Sequence, residues 1–214
     1  MLFIEMVDKI SSWKYAEDYV SEPEHITRAR IRAEEMGIES ITATVGAHLA
    51  LLVSATNAKA VVEVGTGAGV SGLWMLSGND QVVLATIETE GEYLNQAKAA
   101  FTNAGIAASR LRTINGKSVE VLANLADAAY DLVFLDADRE SLDLQVNEAS
   151  RLLRPGGVLA VAHALWRDRV PDQMLRDDNT QIYRDVLKTI SNIDQFISVL
   201  SPIGDGLLLA SKRA

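Results

Sequence analysis

From residue 60 onward the chain alternates short apolar runs with longer amphipathic stretches, and that alternation restricts it to few architectures. Strand candidates fall at 60–64, 82–87, 110–114, 131–135 and 158–162, with helix candidates at 70–77, 90–104, 117–126 and 140–153 between them. Short, β-branched apolar runs suit strands buried on both faces, and strict alternation with helices predicts a parallel sheet with right-handed crossovers. Ligands of such sheets bind beyond the carboxyl ends of the strands, where Glu63, Glu88 and Asp136 would gather. The end of the chain departs from the pattern. A helix around 180–191 precedes FISVLSP and GLLLASK, which are separated only by IGD and so predict a terminal antiparallel hairpin. Before residue 60, apolar residues at three- and four-residue intervals predict helices at 13–20, 27–36 and 45–54, with Gly37 stopping the second. The expected organisation is an N-terminal helical extension, 1–57, on a single compact unit, 58–214. The polar stretch 167–180 reads as a mobile loop.

The most informative segment chemically is VVEVGTGAG at 61–69. An apolar strand candidate runs into a glycine turn, and Gly65, Gly67 and Gly69 permit close backbone approach to a ligand. Glu88, at the end of the next strand candidate and nineteen residues after Gly69, suits a carboxylate that accepts from ribose hydroxyls. Residues 67–72, GAGVSG, also spell the dinucleotide fingerprint G-x-G-x-x-G. Against a dinucleotide stands Glu63, because a pyrophosphate favours backbone N–H groups and no neighbouring acid.

Composition removes several classes of function. The net charge of -9 opposes a nucleic-acid partner, whose phosphates need clustered Lys and Arg. With no cysteine, neither disulfides nor thiolate metal sites nor cysteine nucleophiles are available. The acids Glu5 and Asp8 interrupt the first residues, unlike a secretory signal, and no apolar run reaches the ~18 residues of a membrane span. A cytoplasmic protein without membrane association is the expectation.

Five segments in order, VVEVGTGAGVSGLWML, TIETEGEYLNQAKAAFTNAG, YDLVFLDADRESL, LLRPGGVLAVAHALWRDRV and SPIGDGLLLASKR, resemble the S-adenosylmethionine-dependent O-methyltransferases of the caffeoyl-CoA and catechol type. The resemblance implies an α/β, Rossmann-like class I methyltransferase fold: a seven-stranded, mostly parallel sheet with an antiparallel last strand and helices on both faces. It implies S-adenosyl-L-methionine as cosubstrate, a small aromatic hydroxyl acceptor, and a homodimer. By position, Glu63, Gly65, Thr66, Gly67 and Gly69 would line the cofactor's amino-acid end, and Ser71 would bond its carboxylate. Glu88 would hold the ribose, Ser118 would sit beside the adenine, and Asp136 would lie near the methionine ammonium or the reacting centre.

The departures from that family carry as much information. Metal-dependent members hold a divalent cation with an aspartate like Asp136 and an Asp-Asn pair after the next strand, but Ala162 and His163 stand at the pair's positions and Arg139 replaces a usual lysine. Magnesium favours oxygen ligands in octahedral geometry, so no catalytic metal is expected. His163 becomes the candidate general base, its ordinary pKa of about 6.5 suiting proton removal near neutrality. Arg139 is a candidate for stabilising an anionic oxygen. Lys117 replaces an acid common beside the adenine.

Plainer roles fit other residues: helix N-cap for Asp138, turn for Asp205, packing for His48, Trp13, Trp74 and Trp166, helix start for His25. Two rival functions stay open: an NAD(P)-dependent reductase, and a non-catalytic cofactor- or partner-binding protein with a degenerate methyltransferase site.

Overall fold

The computed structural model describes residues 2–136 and 139–213, with side chains from residue 10 onward. Three helices, α1 (Leu2–Asp18), α2 (Glu24–Glu35) and α3 (Ala43–Ala55), precede the alternating region. There follow β1 (Ala60–Val64), α4 (Val70–Ser77), β2 (Val83–Glu88), α5 (Gly91–Asn103), β3 (Leu111–Asn115), α6 (Ser118–Leu122), β4 (Tyr130–Leu135), α7 (Leu142–Leu152) and β5 (Leu153–Val161). The chain ends with α8 (Asp178–Asn192), β6 (Phe196–Ser201) and β7 (Leu207–Lys212). The seven strands form one sheet in the order β3-β2-β1-β4-β5-β7-β6. All pairs from β3 to β5 are parallel, and β7 runs antiparallel to both of its neighbours.

Two apolar layers bury the sheet. On one face α3, α4 and α5 supply Leu49, Trp74 and Phe101, and on the other α7 and α8 supply Val146 and Val186. Ile26, Val45 and Val53 of the N-terminal helices share the first layer with Val61 and Leu132 of the sheet. The helical extension is therefore folded into the same core. Among the described residues no helix is long and apolar enough to cross a membrane.

Element boundaries shift from expectation for local reasons. The helix expected over 117–126 closes at Leu122, because the Arg151 guanidinium takes the carbonyls of Leu122 and Leu125, both at 2.9 Å. The loop expected to run to 180 ends earlier, because Asp177 caps α8 by accepting from the Thr180 N–H at 3.1 Å. The strand expected from 158 begins at Leu153, with the Arg154, Pro155, Gly156 and Gly157 run absorbed as a register irregularity against β4. Helix α1 begins well before residue 13.

The neighbours β1 and β4 lie at the point where the strand order reverses, which opens a crevice beyond their carboxyl ends. Hydrogen bonds one residue past the strands fix its rim: Gly65 N–H to Ile87 O, Gly116 N–H to Glu88 O and Asp136 N–H to Val64 O, each 2.9–3.0 Å.

Candidate active site

The crevice is a cleft of about 300 Å³. Gly65, Thr66, Gly67, Ser71, Glu88, Ser118 and Asp136 line it, so most of the residues singled out in the sequence converge there. The glycine turn is shaped by close packing as well as by the ligand side. Gly69 has φ +91°, and a Cβ there would meet Phe101 at 3.2 Å and Ala97 at 3.3 Å. It caps α4 against α5 and does not itself line the cleft.

Glu88 lines the cleft beside the glycine turn. One of its oxygens accepts from Gly67 N–H at 2.9 Å, and the other accepts from the Thr89 and Glu90 N–H groups at 2.9 and 3.1 Å. The Thr89 hydroxyl, at 3.3 Å, also donates to that second oxygen, so it is the open side of the oxygen facing Gly67 that is left to accept from a ligand hydroxyl, a carboxylate offering about four acceptor sites in all. Asn115 secures the tip of β3 beside it by donating to Glu88 O and Thr89 O.

Glu63 is placed differently from expectation. It is fully buried beneath the turn and does not line the cleft. Strand alternation explains this: Glu63 points into the layer under α4, where Ser71 Oγ lies 2.5 Å from one oxygen and Thr86 Oγ1 2.6 Å from the other. Burial pushes its carboxyl up to about 8, with the two hydroxyls offsetting part of the rise.

His163 and Asp136 come together. His163 Nε2 lies 3.2 Å from Asp136 Oδ1, and its Nδ1 lies 3.1 Å from Asp205 Oδ2. Burial disfavours the imidazolium, but the bonds and charges of Asp136 and Asp205 outweigh it and raise the ring to about 9. The free base expected near neutrality is thus corrected: at pH 7 the ring already carries its proton. The two carboxylates face opposite ring nitrogens, so the three groups do not converge on one point. Among the described residues no cluster of three His, Cys, Asp or Glu side chains could hold a metal. With a methyl group at Ala162, these residues do not fit a divalent cation site.

Arg139 is also placed away from the cleft. Its guanidinium lies 4.0 Å over the Trp166 ring, which stacks on Tyr183 at 5.5 Å. Burial pushes the Tyr183 hydroxyl up to about 12. Trp166 and Trp74 are packing residues, whereas Trp13 is half exposed. His48 bonds Thr44 O within α3, and His25 lies in the first turn of α2. Asp138 lies outside the described residues.

Asp205 is the site residue whose role the sequence understated. It sits in the β6–β7 turn as expected, yet it also accepts from Arg167 N–H at 2.5 Å and pairs with His163. It thereby holds a segment in which His163, Trp166, Arg167 and Asp168 all have φ between 46° and 58°. A second cavity of about 90 Å³ adjoins His163 and Asp205, with Ile41, Val45 and Ala162 as its apolar wall. It shares Glu39, Ser40 and Ile41 with the main cleft. Only the IGDG turn, an acid beside a chain reversal, hinted at this partnership.

A model for O-methyltransferases matches residues 11–213. Curated relatives from Mycobacterium ulcerans and Mycobacterium avium that carry O-methyltransferase names are each 47% identical over 197 residues, or 92% of this chain and 88% and 89% of theirs. A Corynebacterium glutamicum protein of known structure superposes with TM-score 0.87 at 33% identity over 94% of both chains. The O-methyltransferase TomG from Streptomyces achromogenes, involved in tomaymycin synthesis and solved in complex with S-adenosylmethionine, superposes with TM-score 0.81 at 25% identity, over 91% of this chain and 92% of that one. These similarities do not favour the hydride-transfer reading that the GAGVSG segment left open. By sequence and by fold, this chain belongs to the O-methyltransferase family.

Proposed function

We propose that this protein transfers a methyl group from S-adenosylmethionine to a hydroxyl oxygen of a small aromatic acceptor, and does so without magnesium. The metal-free part is carried by one observation: the His163 ring bridges Asp136 and Asp205, and a methyl group stands at Ala162 beside it. For the cofactor, Glu88 would hold the ribose hydroxyls and Ser118 would lie beside the adenine. Thr66 and Ser71 would face the amino-acid end, with Asp136 near its ammonium. When bound, S-adenosylmethionine supplies a methyl group on a sulfonium centre, which an oxygen nucleophile displaces while the sulfur keeps the bonding pair.

The chain's own contribution is positioning and charge. Asp136 lines the cleft and would accept the acceptor's hydroxyl proton. The protonated His163 balances its charge and, with Asp205, fixes its direction. The apolar wall at Ile41 and Val45 suits a ring, and the cavity's size suits a small one. The net charge of -9 argues for a small molecule over a nucleic acid. Exposed Ile10, Trp13 and Leu51 on α1 and α3 give a homodimer an apolar face, which sedimentation velocity would test.

The central test is transfer of a labelled methyl group to a panel of phenols and catechols, with EDTA or with added Mg²⁺. Turnover that EDTA leaves unchanged is expected. Turnover that requires Mg²⁺ would overturn the metal-free reading. S-adenosylhomocysteine binding with no transfer to any hydroxyl would favour a non-catalytic binding protein.

A further inference from the structure

Beneath the glycine turn four side chains form an unbranched chain of hydrogen bonds: Ser71, Glu63, Thr86 and Thr66. The contacts are 2.5 Å from Ser71 Oγ to Glu63 Oε1, 2.6 Å from Thr86 Oγ1 to Glu63 Oε2, and 2.5 Å between the Thr86 and Thr66 hydroxyls. Both ends of the chain, Ser71 and Thr66, line the cleft, while Glu63 in the middle has no exposure. Each hydroxyl owns one hydrogen, and each contact consumes one.

That inventory decides what the ends can offer. If Glu63 is ionised, it only accepts. Ser71 and Thr86 must both donate inward, and Thr66 must donate to Thr86. All hydrogens are then spent, and the cleft meets only oxygen lone pairs, which repel an anion. If Glu63 carries a proton, there is one hydrogen more than there are contacts. Either Glu63 donates to Ser71, whose hydrogen turns to the cleft, or it donates to Thr86, and the displaced hydrogen emerges at Thr66.

We infer that Glu63 is a neutral positioning residue, whose proton lets Ser71 or Thr66 donate to the carboxylate at the amino-acid end of the bound cofactor. This rests on the cofactor reading above and adds a requirement to it: the cofactor's carboxylate is recognised only while Glu63 is protonated. The surroundings agree. The groups packed on Glu63 are Ser71 from α4, Thr86 from β2 and, more distantly, the carboxylates of Asp136 and Glu88. Both charges oppose ionisation, and among the described residues no cation acts on it. Burial, the largest influence, pushes the carboxyl up to about 8. The Glu63 side chain therefore stays neutral at pH 7 and becomes ionised within a range that can be tested.

The test is calorimetric titration of the full chain with S-adenosylhomocysteine from pH 6 to 9.5, for wild type and Glu63→Gln, with circular dichroism confirming the fold at each pH. Glutamine keeps a carbonyl acceptor and a permanent N–H donor, so it mimics the protonated acid. Wild-type affinity should fall about tenfold per pH unit above pH 8 relative to the variant, which shares every other titration, the ligand's included. E63Q should bind within about threefold of wild type at pH 7. An infrared band of a protonated carboxyl at pH 7, absent from E63Q, should accompany this. Parallel pH profiles for the two proteins would overturn the proposal alone, as would absence of the band. Failure of wild type to bind S-adenosylhomocysteine at pH 7 would instead overturn the cofactor reading itself, and the proposal with it.

Discussion

Asp205 holds His163 from a turn forty-two residues later, with Oδ2 3.1 Å from Nδ1, while its other oxygen fixes the Arg167 N–H. One carboxylate thus joins Asp136 in setting the charge of a site residue and also fixes the path of the left-handed segment that carries it. Removing the charge in Asp205→Asn should lower the His163 pKa from about 9 toward its ordinary 6.5, which histidine ring NMR would read directly. Linkage gives the sign for stability. A folded-state pKa raised from 6.5 to about 9 contributes stability that is fully present below pH 6.5 and is lost as pH rises through 9. The wild-type melting temperature should therefore decline across that window by an amount equivalent to at most about 3 kcal/mol, and D205N should decline less. An unchanged slope would show that other groups govern the alkaline limb.

Glu88 accepts three backbone N–H groups and faces the cleft, so its loss acts on turn geometry and on ligand contact together. Glu88→Ala should weaken S-adenosylhomocysteine binding by about 100-fold, since charge-assisted bonds are worth about 1.5–3 kcal/mol. Glu88→Gln, with one acceptor oxygen, should fall between the two. Calorimetry at fixed pH distinguishes them.

Asp131 ties the start of β4 to β1, accepting from Lys59 and Ala60 N–H at 2.6 and 2.8 Å and from Arg154 Nε at 2.5 Å. Burial favours its neutral form, but the two backbone bonds and Arg154 outweigh it and hold the carboxyl below its ordinary range. Its stabilisation is present above the ordinary carboxylate pKa and is lost as pH falls through the depressed value. Asp131→Ala should cost about 2–3 kcal/mol in urea unfolding at pH 7, and the deficit should shrink in acid.

Gly46 lets α3 lie directly on α4. A Cβ there would come within 2.2 Å of Trp74 Cδ1 and 2.4 Å of Nε1. Gly46→Ala should destabilise by about 1–3 kcal/mol, and a second substitution, Trp74→Leu, should recover part of that loss by relieving the overlap. A double-mutant cycle by urea unfolding measures the coupling. Additive effects would contradict it.

The fold was legible in the sequence because its strongest signals are local. Period and run length mark each strand of the parallel half, and the IGD spacing marks the hairpin. The cleft residues were legible for a related reason: the parallel topology brings every strand's carboxyl end to one edge, so Glu88 and Asp136, at or just past the strand ends, reach the same crevice. What failed depended on contacts between distant segments. The direction of the Glu63 side chain follows from strand alternation once the face of α4 is known. Arg139 left the cleft for an indole supplied by residue 166. The charge of His163 is set by Asp136 together with a residue in the last hairpin, and no spacing rule connects Asp205 to either.

The wall between the two cavities consists of Glu39, Ser40 and Ile41, which belong to no helix or strand. It is anchored from behind, where Arg30 donates to Ile41 O at 2.7 Å, and its outer edge carries the exposed Glu39–Arg167 pair, worth little in water. Glu39 and Ser40 carry none of the sheet, so changes there would reshape the edge of both cavities while the strands stay as they are. On the function proposed above, a lineage built on this scaffold would exchange one acceptor for another by editing these two positions, with the sheet inherited intact.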